Sequence, residues 1–197
     1  MLNKEFYLDK RIVRTKKLLM ESLISLLQQN NFNDLSITDI TTKAKVSRVT
    51  FYNHFQDKEK LLDELINNVI TDLIYSYQSP YKTYKRFTIN DVTPVTVKLF
   101  DHVYQNSSFY STIVNSDILP AFQKRLTMEM NKLALQDYII PNPKVNNGIY
   151  ANYQAYAITG MIIEWVRGGF KYSPSYMAEQ LMEIVKLPGN QSLVRKN

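Results

Sequence analysis

The segment LSITDITTKAKVSRVTFYNHFQDKEKLL, residues 35–62, decides the architecture of this chain. Ser36 is placed to cap a short helix in which Ile37, Ile40 and Ala44 recur at inward-facing spacing. The chain then turns around Lys45-Val46, and Ser47 supplies a second capping oxygen. Residues 48–55 have room for two turns of helix. Phe51 and Phe55 share one face of it, leaving Arg48, Thr50, Asn53 and His54 for another surface. Asp57 caps a third helix, with Lys58 in its first turn. A cation there opposes the helix dipole, so its position calls for a separate reason such as a phosphate. The pattern is a helix-turn-helix.

Outward from this segment, the spacing predicts a first helix over about residues 11–29, with Leu19, Leu23, Leu26 and Leu27 forming an apolar stripe that Asn30-Asn31 ends. A fourth helix from Lys58 to about Gln78 carries Leu61, Leu62, Leu65, Ile66, Val69, Leu73 and Ile74. It outruns what a helix-turn-helix needs and so joins two parts of the chain. Residues 79–90 read as a loop. Further helices are expected from Asp91 or Thr93 through His102, over 109–115, and from Asp117 to about Asp137. Pro141-Asn142-Pro143 breaks the chain, and an apolar helix over 145–170 ends at Gly168-Gly169. Ser173-Pro174 opens a last helix to about Lys186. No stretch alternates like a strand, so the expected fold is all-α with about nine helices.

Of the net charge of +6, +4 lies in residues 1–60, which hold 11 Lys and Arg against 7 Asp and Glu. The basic footprint therefore coincides with the helix-turn-helix and suits a polyanionic partner. Without cysteine the chain has neither disulfides nor thiolate metal sites, and two histidines leave no basis for a metal role or a cofactor. There is no apolar run of membrane-spanning length and no signal-peptide core after Met1, so a soluble cytoplasmic protein is expected. No nucleophile elbow, phosphate loop or dinucleotide fingerprint supports the rival reading of a helical enzyme or carrier.

Val46-Ser47, Thr50-Phe51-Tyr52, His54-Phe55 and Lys58-Glu59 with Leu61 match, in order and spacing, the DNA-binding domain of the tetracycline-repressor-like (TetR/AcrR) regulators, which this segment resembles. Two positions depart from the family pattern: Lys45 stands where the turn usually has Gly, and Thr41 replaces Ala. A left-handed Lys costs roughly 1 kcal/mol, so the turn is strained but accessible. The resemblance implies a DNA-binding domain over residues 1–62, linked by the fourth helix to a helical regulatory and dimerisation domain over 63–197. It also implies that the helix after Ser47 enters the major groove. Arg48 is suited to guanine, Val49 to a thymine methyl, and Thr50 and Asn53 to base edges, with Thr38 reaching from the preceding helix. Tyr52, His54 and Lys58 have the donors for phosphate, and Lys45 adds charge.

The segment YQAYAITGMIIEWVRGGFKYSPSYMAEQL, residues 153–181, resembles the family's last two helices, which form a four-helix dimer interface. Ala155, Ile158, Thr159, Ile162, Ile163 and Val166 make the first of these helices apolar on several faces, and Met177, Leu181 and Ile184 line the second. The competing reading is a central helix buried within one monomer. Family members commonly hold an effector among the middle helices, where Phe100, Tyr104, Phe122, Tyr153 and Tyr156 would suit an aromatic or amphipathic molecule. The expected function is thus a homodimeric repressor on a palindromic operator in double-stranded DNA, released by a small-molecule effector. In the alternative, the second domain takes a protein partner and the regulator is an activator. Glu164 could serve a cationic ligand or pair with Arg167.

Overall fold

A computed structural model describes residues 2–81, 97–137 and 144–186. Among them are nine α-helices and no strand: α1 (Leu2–Leu27), α2 (Ile37–Ala44), α3 (Arg48–Tyr52), α4 (Lys58–Gln78), α5 (Leu99–Gln105), α6 (Ser107–Val114), α7 (Leu119–Asp137), α8 (Asn147–Arg167) and α9 (Pro174–Lys186). Short 3-10 turns occupy Phe32–Asp34 and Ser79–Tyr81. α1 starts well before the expected residue 11, and α3 stops at Tyr52, three residues early. The expected helix opening at Asp91 or Thr93 and the break at Pro141-Asn142-Pro143 lie outside the described residues.

One hydrophobic core runs from Leu19 to Met182. Leu19, Leu23, Ile40, Phe51 and Leu61 are fully buried at the amino-terminal end, so α3 is held by the aromatic face the spacing assigned to it. α4 touches α1 and also α5 and α7, joining the amino-terminal helices to those that follow. α7 and α8 form the most extensive helix pair, and α9 lies against α5. Around Trp165 the chain turns sharply: the C-cap Gly168 is followed by Gly169 and Phe170, both with positive φ. A left-handed phenylalanine is strained by roughly 1–2 kcal/mol. Burial offsets that strain, because the Phe170 ring packs edge-on to Trp165 at 5.0 Å and Tyr104 at 5.7 Å. The indole Nε1 donates to Tyr172 O at 3.0 Å, which fixes the return of the chain into α9.

Candidate nucleic-acid interface

The short helices α2 and α3 are held by their ends. Ser36 Oγ accepts from Asp39 N at 3.2 Å, and Asp39 Oδ2 accepts from Ser36 N at 2.8 Å, a reciprocal capping box. The donors from Ser36, side chain first and then backbone, hold the Asp39 carboxyl below its ordinary range. At the other end Lys45 is left-handed (φ 55°, ψ 42°). Its N–H bonds Thr42 O and that of Val46 bonds Thr41 O, the two hydrogen bonds that close a Schellman turn. Thr41 replaces the expected alanine without leaving a buried hydroxyl unpaired, since its Oγ1 donates to Ile37 O at 2.9 Å. Ser47 Oγ caps α3 through Thr50 N at 3.0 Å and also bonds the Thr50 hydroxyl at 2.8 Å.

This scaffold leaves one face of α3 free. Arg48 and Asn53 are exposed, with no side-chain partner among the described residues. Val49 is 70% exposed on a helix that the buried Phe51 holds to the core. Tyr52 is half exposed, its ring edge-on to Phe51. Thr38, Lys45 and Ser47 are exposed nearby, and His54 and Thr50 are partly buried. Ser47 and Thr50 spend part of their bonding capacity on the cap, which makes them positioning groups as much as contact groups.

Lys58 departs from expectation. Its Nζ donates to Phe32 O at 2.9 Å, Asn33 O at 3.1 Å and Leu35 O at 2.7 Å, and lies 4.8 Å from the centre of the Phe32 ring. An ammonium has three hydrogens, and all three are used, so the expected phosphate donor is an internal strut. The unfavourable place of a cation in the first turn of α4 has its reason inside the protein. Lys16 is similarly committed, to Glu64 at 2.8 Å and over the Phe55 ring at 5.2 Å.

In the carboxy-terminal half the expected groupings change. Phe100 and Phe122 are fully buried core rings, packed edge-on against Trp165 and against Phe109 and Tyr110 respectively. Tyr104, Tyr153 and Tyr156 are exposed. The five therefore do not line one chamber. Tyr156 instead edges an open groove of about 560 Å³ between α7 and α8, shared with Gln123, Lys124, Met128, Asn131 and Lys132 among others. Glu164 pairs with Arg167 on its own helix, the ordinary i,i+3 alternative. The expected dimer stripe is corrected too: Ala155, Thr159, Ile162, Ile163 and Val166 are buried within the monomer, as is Met177, while Ile158 and Leu181 pack partly against the core. Of the nine residues only Ile184 is exposed. The helix is apolar on several faces because α7 and α6 cover it on more than one side.

Two buried polar atoms that residue types alone did not mark are His102 Nε2 and Tyr110 Oη, which have no hydrogen-bond partner among the described residues and whose rings meet edge-on at 6.1 Å. Burial lowers the His102 pKa, partly opposed by the Asp72 charge, and pushes the Tyr110 phenol up. Among the described residues no cluster of His, Asp or Glu could hold a metal ion, and no helix is long and apolar enough to cross a membrane.

Residues 19–65 match the family described as bacterial regulatory proteins, tetR family, and residues 90–187 match the transcriptional regulator C-terminal region of such proteins. The chain is 22% identical over 165 residues to the uncharacterized HTH-type transcriptional regulator YxbF of Bacillus subtilis, covering 84% of this chain and 43% of that protein. Over 70 residues it is 37% identical to DhaS of Lactococcus lactis, the HTH-type dhaKLM operon transcriptional activator, covering 35% of this chain and 37% of that protein. The matched region is less than half the length of the curated relatives it matches. A TetR transcriptional regulator from Streptococcus agalactiae has the same fold, with a TM-score of 0.62 at 22% identity over 92% of this chain and 98% of its own. With its capped helix-turn-helix and its all-helical second half both matched, the chain belongs to the TetR family of DNA-binding bacterial transcriptional regulators.

Proposed function

We propose that this chain is a sequence-specific regulator that reads a palindromic operator as a cytoplasmic homodimer. Its residues 1–62 bind DNA, and residues 63–197 dimerise and regulate. The observation that carries this reading is the free face of α3: Arg48, Val49, Tyr52 and Asn53 project from a helix whose other face and both ends are fixed. A preorganised row of a guanidinium, a methyl-bearing side chain, a phenol and an amide matches the donor, apolar and acceptor pattern of a major groove. The second copy docks on the exposed face of α8, where Ile149, Tyr153, Tyr156, Ala157 and Gly160 recur at helical spacing. A Cβ at Gly160 would meet nothing within 4 Å, leaving room for a partner backbone. Two-fold pairing sets the recognition helices about 34–36 Å apart, one turn of DNA.

Repression by occupancy, relieved by an effector that prefers another spacing of the two α3 helices, is the simplest mode for such a dimer. A second reading, activation through a protein partner, is favoured by the groove between α7 and α8, which lies open at the surface and is edged by Lys124, Asn131 and Lys132. The segment shared with DhaS, a named activator, points the same way. Selection of bound sequences from a random duplex pool at about 150 mM salt, a roughly physiological ionic strength, tests the core of the proposal. A palindrome is expected, and recovery of sequences no different from the input would refute specific recognition. Transcription in vitro from the selected site then gives the sign of regulation.

A further inference from the structure

The turn Phe32–Asp34 enters the helix-turn-helix directly before the Ser36 cap, and it is gripped from two sides by opposite charges. From one side Lys58, in the first turn of α4, donates to the carbonyls of Phe32, Asn33 and Leu35. From the other side comes Asp117, in the short connection between α6 and α7, more than 80 residues away in sequence. Its Oδ1 accepts from Phe32 N at 2.9 Å, and its Oδ2 from Asn33 N and Asn33 Nδ2, each at 3.4 Å. The carboxylate and the ammonium thus polarise one peptide group, that of Phe32–Asn33, from opposite ends, and such chained bonds reinforce one another.

The Asp117 connection is itself tightly set. Asn115 Nδ2 donates to Ser111 O, Ser116 Oγ donates to Ile113 O and accepts from Ile118 N, and the Ile118 side chain is buried. A shift of α6 or of the start of α7 therefore moves the carboxylate with it. Asp117 is nonetheless exposed, so when it lets go both it and the freed N–H groups can turn to water. A contact that is rigidly mounted yet reversible is suited to a switch.

We propose that the bonds from Asp117 to the Phe32–Asp34 turn are the latch through which the regulatory helices set the position of α2 and α3. Asp117 is a positioning residue here and touches no DNA. This rests on the reading of α3 as the operator-reading helix. With the latch closed, the turn, the Ser36 cap and α2 move with α6 and α7. With it open, this tie to α6 and α7 is lost, and Lys58 and the packing of Phe32, Leu35 and Ile40 against α1 hold them.

The test uses the full-length chain and its Asp117→Ala variant in hydrogen–deuterium exchange, first without DNA. Faster exchange is expected at residues 32–35 and through α2 and α3, with α8 unchanged; unchanged exchange in α2 and α3 overturns the proposal. With the selected operator, Asp117→Ala should change affinity by roughly tenfold, within the usual span of couplings between sites, while selecting the same base sequence. Operator binding should also slow exchange at residues 107–122 in the natural chain and not in the variant. Equal slowing in both overturns the latch and leaves the DNA-binding function intact. If the natural chain selects no sequence, the proposed function fails, and the DNA-free exchange still decides the latch. If Asp117→Ala fails to fold, Asp117→Asn keeps the shape and one acceptor and should give the same changes at smaller size.

Discussion

At Lys45 a side chain with a Cβ holds the left-handed turn where the family has glycine, and the turn closes normally around it. Lys45→Gly should therefore stabilise the protein by about 1 kcal/mol, read as a higher urea midpoint at unchanged slope. Operator affinity should not rise with it, because the same change removes an exposed cation beside α3. Arg48 and Lys58 make a sharper contrast. Arg48 is exposed and has no side-chain partner among the described residues, so Arg48→Ala should leave stability within about 0.5 kcal/mol while relaxing base preference at one position of the selected site. Lys58→Ala strips a charged donor from three carbonyls and should destabilise the domain by roughly 1–3 kcal/mol with little effect on the salt dependence of binding. Thermal melts and a salt titration of both variants separate the two roles. The composition of residues 35–62 made each side chain's chemistry legible, but only the folded turn shows which cations are already satisfied.

Among the elements, α2, α3 and α9 lie close to where their sequence signals put them, because Ser36, Ser47 and Ser173 act within three residues of themselves. α8 shows the limit of such signals. Its run of apolar residues is compatible with a dimer seam or with a buried helix, and the packing of α7 and α6 against it settles most of those residues inside the monomer. The exposed apolar positions are Ile149, Tyr153 and Tyr156, offset around the helix from the stripe that residue type suggested. On α5, His102 is buried with its pKa lowered by desolvation, against a smaller opposing pull from Asp72. The unfolded chain takes up this proton as the pH falls through the ordinary value of 6.5, and the folded chain only at lower pH. Its contribution to stability is thus intact above about pH 6.5 and declines as the pH falls below it. Urea midpoints measured between pH 7.5 and about pH 5.5, a span that brackets the ordinary histidine range, should fall with pH, and His102→Gln should flatten that slope.

For the whole molecule, the single core running through α4 ties the two halves together, and in the proposed dimer the docking of a second copy decides how the chain meets DNA. Tyr153→Arg, on the exposed face of α8, should give a folded monomer by sedimentation and lower the apparent operator affinity by at least tenfold, since each half-site then binds alone. A dimer that persists in this variant would place the interface elsewhere.

What the sequence determined by itself is local. Caps, turns and apolar spacing act between residues a few positions apart, so the helix-turn-helix and the all-helical class were legible in it, while of the four residues the spacing left for the outer face of α3 only Arg48 and Asn53 are exposed. What only the tertiary structure decided is which side chains are already spoken for. Lys58 reaches back 26 residues to Phe32, Asp117 reaches back 85, and Phe100 and Phe122 are closed over by other rings. Those partners are adjacent in space and remote along the chain, and burial and bond satisfaction depend on the space.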